Sequence, residues 1–250
     1  MWVPGPSAFP CSASWNDRGV MFVLVHSPLV GPTTWRSVGT HLRAGGESVA
    51  VPAISPDVFA SKPILPTIER AVADSVDACF PAGSVVLVGH SGAGPLLPGI
   101  ADLMTSHVRA LMYVDALLPM PGVSWFQRAP DELAARLRGL ARAGVLPTWD
   151  EWFEPGAVDE LLPDSNLRAQ FQAELPRLPL RYFDEPEPPA SWRGPNGYLL
   201  LSEAYLAEAA RARTRGWPVL ERPGHHLSMV TEPAAVGDTI VELARRLGRS

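Results

Sequence analysis

The feature that most constrains the fold is an apolar run followed at once by a glycine-rich turn, residues 85–94, Val-Val-Leu-Val-Gly-His-Ser-Gly-Ala-Gly. The run is typical of a buried strand, and the glycines indicate a sharp turn before a helix. Such a turn holds Ser91 in a strained conformation with its hydroxyl exposed at the carboxyl edge of a sheet, and the small residues Gly89 and Ala93 leave room for it. This is the context of a nucleophile elbow, with one departure from G-x-S-x-G: the second glycine comes one residue late, at Gly94.

Two other interpretations of this turn stay open at this point. A glycine cluster after a strand can bind a dinucleotide or a phosphate, but the order here is G-x-x-G-x-G, and no lysine follows as in a P-loop. Ser91 can also be an ordinary residue of a structural turn. The rest of the chain has to decide between them.

Length, composition and charge restrict the class of protein. A chain of 250 residues with 46% hydrophobic content fits one α/β domain with an inserted lid. A net charge of -5 without a basic run argues against nucleic acid or an anionic membrane surface as partner. No apolar run reaches the roughly 18 residues of a membrane span, and we expect no signal peptide. We therefore expect a small-molecule substrate and leave open a homodimer.

The two cysteines, Cys11 and Cys79, are far apart in sequence and lack CxxC or Cys/His ligand spacing. Neither a disulfide framework nor a zinc site is indicated. We expect no metal, no cofactor, reduced thiols and a cytoplasmic location.

Apolar strands alternate with helical patterns on both sides of the elbow. Residues 21–25, 35–44 and 48–52 form one βαβ unit, a helix over residues 67–80 leads to the elbow, and residues 109–115 form the next strand. This alternation predicts an α/β fold with a mostly parallel sheet of about six strands flanked by helices. In the helix after the elbow, Pro98 is expected to remove an interior bond and bend the helix.

The rhythm divides the chain into three regions: an irregular extension over residues 1–20, an α/β core over residues 21–115 and 197–250, and a helical lid over residues 116–196, called the insertion below. The insertion interrupts the sheet at the edge where Ser91 emerges. It is rich in aromatic residues: Trp125, Phe126, Trp149, Trp152, Phe153, Phe171, Tyr182, Phe183 and Trp192. Together they favour an apolar pocket, and any single one is equally well explained as part of the insertion's own core.

Nucleophilic catalysis by Ser91 needs a base and an acid that orients the base. The loop after the last predicted strand, residues 222–230, Arg-Pro-Gly-His-His-Leu-Ser-Met-Val, offers His225 and His226. The pattern G-x-H-[FL]-[ST]-M-[VL] and the seven-residue spacing to Pro233 select His226. A solvated loop histidine without a role is the alternative.

From Met21 onward the chain resembles the α/β-hydrolase fold superfamily, in the compact form of plant esterases and hydroxynitrile lyases. His26, Gly31 and Trp35 fall on their H-G-x-x-x-G-x-x-x-W pattern, and residues 224–230 are similar to the catalytic-histidine loop of chain-releasing thioesterases. The resemblance implies a serine-type hydrolase. It is weak through the insertion, since lids vary most.

The position of the acid departs from the commoner family pattern. The usual aspartate lies in a G-x-x-D turn after the penultimate strand, and that turn here reads Ser-Glu-Ala-Tyr, residues 202–205. Asp115, at the end of the strand after the elbow, occupies the alternative acid position used by the same thioesterases. The resemblance therefore predicts Asp115 as the acid, with Glu203 in reserve. An aspartate that caps the following turn is the competing explanation.

The oxyanion hole departs from the pattern as well. It normally takes one N–H from the residue after the nucleophile, here Gly92, and one from the second residue after His26, here Pro28. Proline has no N–H, so either Leu29 or the Ser27 hydroxyl substitutes, or one donor acts alone. Loss of one donor typically lowers the rate by about 10²- to 10³-fold.

These residues predict a serine-type hydrolase that acts on an ester or thioester of an apolar acyl group through an acyl-enzyme on Ser91. A first alternative, motivated by Pro28, is a lyase, eliminase or cyclase in which His226 is a general base and no acyl-enzyme forms. A second is a non-catalytic small-molecule-binding protein on the same fold, against which the complete Ser/His set argues.

Overall fold

The computed structural model describes residues 19–81 and 83–248. These residues form six strands: β1 Val20–Val25, β2 Ser48–Ala50, β3 Ser84–His90, β4 His107–Val114, β5 Asn196–Leu200 and β6 Val219–Glu221. They also form eleven α-helices: α1 Thr33–Ala44, α2 Leu65–Cys79, α3 Leu97–Leu103, α4 Trp125–Arg128, α5 Asp131–Leu140, α6 Ala157–Leu161, α7 Ser165–Ala173, α8 Leu180–Asp184, α9 Leu206–Thr214, α10 Ser228–Thr231 and α11 Pro233–Leu247. Of the predicted extension, residues 1–18 lie outside the described residues, and Val20 already belongs to β1.

The six strands form one sheet in the order β2-β1-β3-β4-β5-β6 with every pair parallel, so the predicted α/β sheet is confirmed. The chain forms β2 on one side of β1 and then β3 on the other side. At such a reversal the loops after two neighbouring strands part and leave a crevice at their carboxyl ends. The loop after β1 and the elbow after β3 flank this crevice.

Helices cover both faces of the sheet. Gly197 shares a register row with Val88, and a Cβ at Gly197 would meet Leu243 of α11 at 3.1 Å. Gly89, the next residue of β3, points the other way, where a Cβ would meet Leu97 of α3 at 3.0 Å. Because helices cover both faces, the central strands are buried almost completely, which explains their continuous apolar sequences.

The predicted bend at Pro98 is wrong. The elbow leads into a 3₁₀ turn, Ser91–Leu96, and α3 begins only at Leu97, which places Pro98 in the first turn of that helix. An N–H in the first turn has no intrahelical partner, so proline is well tolerated there.

Cys79, the last residue of α2, is disulfide-bonded. The expectation of reduced thiols is therefore wrong, because separation in sequence does not show which sulfur atoms meet in space. The cytoplasmic location, which depended on those thiols, stays a prediction. In the part of the chain that the structure describes, no helix has both the length and the apolarity to cross a membrane.

Between β4 and β5 the chain forms the five helices α4 to α8. Polar contacts join this region to the core: Glu174 accepts a hydrogen bond from the Thr33 N–H at the start of α1 (2.7 Å), and Glu185 accepts one from the Leu65 N–H at the start of α2 (2.9 Å). Both core helices begin at the carboxyl edge of the sheet. The insertion therefore lies over the edge at which Ser91 emerges.

Candidate active site

Ser91 follows β3 directly and has a φ of +55°, in the left-handed region that non-glycine residues rarely adopt. The turn also explains the late glycine, since a Cβ at Gly94 would lie 2.0 Å from the Leu117 carbonyl oxygen. Ala93 is buried without such a conflict. Backbone strain at a serine between a strand and a helix is characteristic of a nucleophile elbow.

Asp115 and His226 lie side by side at the same edge of the sheet. Asp115 follows β4, is fully buried, and has its Oδ2 2.8 Å from His226 Nδ1. The backbone N–H groups of Leu201 and Ser202 donate to Oδ1, each at 2.9 Å, and the Ser202 hydroxyl donates to Oδ2. Burial raises the pKa of the Asp115 carboxyl, but the hydrogen bonds from His226, Ser202 and Leu201 outweigh it and hold the pKa below its ordinary value. An ionised Asp115 accepts a hydrogen bond from Nδ1–H of His226, which leaves Nε2 free to accept a proton.

Glu203, the reserve acid, is placed elsewhere. It is exposed in the 3₁₀ turn Glu203–Tyr205 after β5. Among the described hydrogen bonds, the carboxylate at Nδ1 of His226 belongs to Asp115. The structure thus brings Asp115, and not Glu203, to the histidine.

Tyr205 is a site residue that the sequence reasoning missed. Its hydroxyl lies 3.2 Å from Ser91 Oγ, and its ring stacks on the His226 imidazole with a centroid separation of 4.9 Å and an interplanar angle of 4°. Within residues 19–81 and 83–248 no hydrogen bond joins Ser91 Oγ to His226, and the Ser91 hydroxyl is paired with Tyr205 instead. A signal was present, because Tyr205 stands at the fourth position of the turn that usually ends in the acid.

Two buried histidines fix the backbone of the site. His90 donates from Nε2 to the carbonyl of His226 at 3.0 Å, since a carbonyl oxygen can only accept. Burial and the neighbouring His226 lower the pKa of His90 well below its ordinary value and keep its imidazole neutral. His26 donates from Nδ1 to the Ser27 carbonyl at 2.9 Å and accepts from the Ile54 N–H at 3.1 Å. Burial lowers the pKa of His26 as well. Both side chains therefore position loops rather than exchange protons.

The four residues predicted for the oxyanion hole differ in whether they have a hydrogen-bond donor free for an oxyanion. Pro28 offers no N–H, and the Leu29 N–H already donates to Ser27 Oγ at 3.2 Å. Ser27 Oγ faces Gly92, since a Cβ at Gly92 would lie 2.9 Å from it. The Ser27 hydroxyl accepts from Leu29 and keeps its own proton for donation. Ser27 Oγ and Gly92 thus lie close together beside Ser91.

A cavity of about 710 Å³ adjoins these residues, a size typical of small-molecule sites. Ser91, Gly92, Leu29, Tyr205 and His226 form part of its wall. The rest of the wall is mostly apolar and comes largely from the insertion, with Trp125, Leu133, Trp149, Trp152, Phe153, Val158 and Leu161. Four other predicted aromatic residues pack in the insertion's own core: Phe126, Phe171, Tyr182 and Phe183. Among the described residues, no cluster of His, Cys, Asp and Glu is arranged to hold a metal ion.

Comparisons with protein families, curated proteins and solved structures show which proteins this chain resembles. No family model matches the chain. The carbendazim hydrolyzing esterase of Nocardioides sp. (strain SG-4G) is 32% identical over 135 residues, which cover 50% of this chain and 55% of that protein. The match therefore spans about half the length of this curated relative.

Two solved structures resemble nearly the whole chain. An extracellular α/β-hydrolase from a Paenibacillus species is 19% identical with a TM-score of 0.69, over 90% of this chain and 98% of its own. A pyrethroid hydrolase from Sphingobium faniae JZ-2 is 18% identical with a TM-score of 0.68, over 92% and 99%. At this level of identity the likeness shows a shared fold.

Proposed function

We propose that this chain, which has the α/β-hydrolase fold, is a serine esterase that acts on an ester or thioester of a small apolar molecule. The observation that carries the proposal is the pairing of His226 with the buried Asp115 at the cavity wall that also holds the strained Ser91. The apolar lining of the cavity supports an apolar substrate. The Nocardioides relative is named an esterase and the Sphingobium protein a hydrolase, and both names support hydrolysis over elimination.

In the proposed acylation, Ser91 turns toward His226, gives its Oγ proton to Nε2 and attacks the acyl carbon. The Oγ–C bond forms and the carbonyl oxygen becomes an oxyanion. His226 then gives the proton to the leaving oxygen or sulfur, whose bond to carbon breaks. A water molecule repeats these steps to release the acid, and Asp115 stabilises the imidazolium in both halves.

The oxyanion is stabilised in this proposal by the N–H of Gly92 and the hydroxyl of Ser27. The contact between these two residues beside Ser91 supports that assignment. A hydroxyl that already accepts from the Leu29 N–H is oriented to donate elsewhere, and oriented donors are what such a site needs.

Labelling with a fluorophosphonate probe tests the proposal, because the probe reacts with activated serines. We expect one probe per chain in the wild type, no labelling of Ser91→Ala, and normal labelling of Ser165→Ala, which changes an exposed serine of α7. Turnover of 4-nitrophenyl butyrate should disappear with the label. Full turnover by Ser91→Ala would overturn the proposal. Labelling of Ser91 by the probe would exclude the binding-protein alternative, and an acyl adduct on Ser91 after mixing with substrate, detected by intact-protein mass spectrometry, would exclude the lyase alternative.

The natural substrate class is to be sought among apolar esters that fit the cavity. Carbendazim, named for the Nocardioides relative, is the first compound to test, alongside 4-nitrophenyl esters of increasing acyl length. If the cavity binds the acyl group, kcat/KM should rise with acyl length until the cavity is filled.

A further inference from the structure

We infer that Tyr205 is a catalytic residue of this site, whose hydroxyl donates a hydrogen bond to the leaving-group atom of the substrate. The inference rests on the proposed esterase function and adds to it a group that acts on the same bond as His226.

The first observation is contact with a reacting atom. The Tyr205 hydroxyl lies 3.2 Å from Ser91 Oγ, and it is the hydrogen-bond partner of that oxygen in the described part of the chain. Burial raises the pKa of Tyr205 to about 12, so the phenol keeps its proton and acts as a donor at neutral pH. The hydroxyl also lies in the wall of the apolar cavity, where a hydrogen bond is worth more than in water.

The second observation is the side of the nucleophile on which Tyr205 lies. Its ring is stacked parallel on the imidazole of His226, which delivers the proton to the leaving group. The residues proposed as oxyanion donors are Ser27 and Gly92, which lie close together: a Cβ at Gly92 would be 2.9 Å from Ser27 Oγ. The phenol is therefore on the imidazole side of Ser91 Oγ, next to the departing atom.

The third observation is that Tyr205 is held by the same turn as the acid. Its N–H donates to the Ser202 carbonyl at 3.2 Å, and Ser202 binds the Asp115 carboxylate through its N–H and its hydroxyl. The position of the phenol is thus coupled to that of the Asp115–His226 pair. Tyr205 stands at the fourth position of this turn, where the related fold usually has its aspartate. Because Asp115 pairs with His226 from the neighbouring strand end, that position does not need a carboxylate.

The step balances without consumption of the phenolic proton. In the resting enzyme the Tyr205 hydroxyl is hydrogen-bonded to Ser91 Oγ. When Ser91 turns to His226 and bonds to the acyl carbon, the hydroxyl donates instead to the leaving oxygen. The proton that finally resides on the leaving alcohol comes from Ser91 by way of His226, and the electron pair of the broken C–O bond stays on that oxygen.

The experiment compares Tyr205→Phe with wild type on esters of one acyl group with different leaving groups: 4-nitrophenol, phenol and ethanol. The ring, and with it the stacking on His226, is retained. The readout is kcat/KM, which reports acylation. We expect a loss of about 10- to 100-fold for the ethyl ester, whose leaving oxygen develops the most charge, and of less than about 3-fold for the 4-nitrophenyl ester. Tyr182→Phe, in the insertion's core, should change neither value.

An equal loss on all three esters, or no loss, would overturn the inference, since a role in positioning alone affects every leaving group alike. Fluorophosphonate labelling separates the two proposals. Tyr205→Phe that labels at Ser91 yet shows a flat leaving-group dependence contradicts the role of Tyr205 and leaves the esterase function standing. A wild-type chain that does not label contradicts the esterase function itself.

Discussion

Asp115 is the residue at which this chain departs furthest from the commoner arrangement of its fold. It has a φ of +44°, unusual for an aspartate, and its carboxylate is held by N–H groups of the turn after β5. That turn is the one in which the acid usually lies. In the proposed site the carboxylate that orients His226 comes from the neighbouring strand end, and the turn binds that carboxylate and carries Tyr205.

Replacement of Asp115 by Asn should lower kcat by about 10⁴-fold, because a neutral amide neither holds the required imidazole tautomer nor stabilises the imidazolium. Glu203→Gln is the matched control, because it neutralises the exposed carboxylate on the same turn and should leave kcat unchanged. Steady-state kinetics with 4-nitrophenyl butyrate decide the matter. A larger loss in Glu203→Gln than in Asp115→Asn would reverse the assignment.

Ser27→Ala should lower kcat/KM by about 10²- to 10³-fold if its hydroxyl completes the oxyanion hole. The sequence offers an internal rescue, since Pro28→Ala restores the missing backbone N–H. The double variant Ser27→Ala/Pro28→Ala should therefore recover part of the loss. Unchanged kinetics in Ser27→Ala would show that Gly92 acts without it.

At the scale of elements, α2 and α3 meet around a buried carboxyl group. Glu69 of α2 is 4% exposed, and its Oε1 has no hydrogen-bond partner in the described part of the chain. Its carboxyl group lies so close to α3 that a Cβ at Gly99 would be 2.3 Å away. Burial, with the charges of Asp102 and Glu185, raises the pKa of Glu69 to about 8. The glutamate is therefore protonated in the folded chain at neutral pH.

This element contact should make stability depend on pH. The folded chain holds the Glu69 proton up to about pH 8, whereas an unfolded chain releases it near its ordinary pKa of 4.5. The stabilisation is complete below pH 4.5 and is lost as the pH rises to about 8. In urea unfolding, the free energy of unfolding of Glu69→Gln minus that of wild type should increase as the pH rises from 4.5 to about 8. Parallel curves for the two proteins would contradict the raised pKa.

The elements themselves were largely predictable because each strand of a parallel sheet is an apolar run and each helix has its own period. The strand-turn-helix around Ser91 follows from residues adjacent in sequence. The bend predicted at Pro98 is absent because the start of α3 depends on the 3₁₀ turn that precedes it, which the sequence pattern does not indicate. The Tyr205–Ser91 contact joins residues 114 apart in sequence and depends on how the turn after β5 packs on His226, which no local pattern encodes.

At the scale of the whole molecule, the insertion is joined to the core through a buried ionic network. Arg128, at the end of α4, pairs with Glu187 at 3.0 Å and with Glu208 of α9 at 3.2 Å, and also donates to the Leu118 carbonyl. All three charged side chains are largely buried. The network connects three parts of the insertion, at Leu118, Arg128 and Glu187, to the core helix α9, and Arg128 and Glu208 line the cavity.

Removal of Arg128 from this network should be costly, because it leaves the buried Glu187 without its counter-charge and Glu208 with only the half-exposed Arg211, at 3.0 Å. Arg128→Leu is expected to lower the free energy of unfolding by about 3–5 kcal/mol. Arg138→Leu is the control in the same insertion, where the half-exposed pair with Asp184 should contribute at most about 1 kcal/mol. Equal effects in urea unfolding would mean that the network does not hold the insertion to the core.

The architecture of the chain was predictable from the alternation of strands and helices. For the cavity, the sequence predicted an apolar pocket but not which residues line it. Aromatic residues of the insertion divide between the cavity wall and the insertion's own core, and composition does not say which residue goes where. Trp149 lines the cavity, whereas Phe171, which its ring contacts, is fully buried. The disulfide at Cys79 likewise depends on tertiary packing.

The central claim is that Ser91 forms a covalent acyl-enzyme. Its most direct test is intact-protein mass spectrometry after reaction with 4-nitrophenyl N,N-dimethylcarbamate, whose carbamoyl-enzyme is hydrolysed slowly. We expect one equivalent of 4-nitrophenolate released in a burst, a mass gain of one dimethylcarbamoyl group on the peptide that contains Ser91, and parallel loss of activity toward 4-nitrophenyl butyrate. A chain that hydrolyses the butyrate ester yet gains no mass, releases no burst and keeps its activity would contradict this claim.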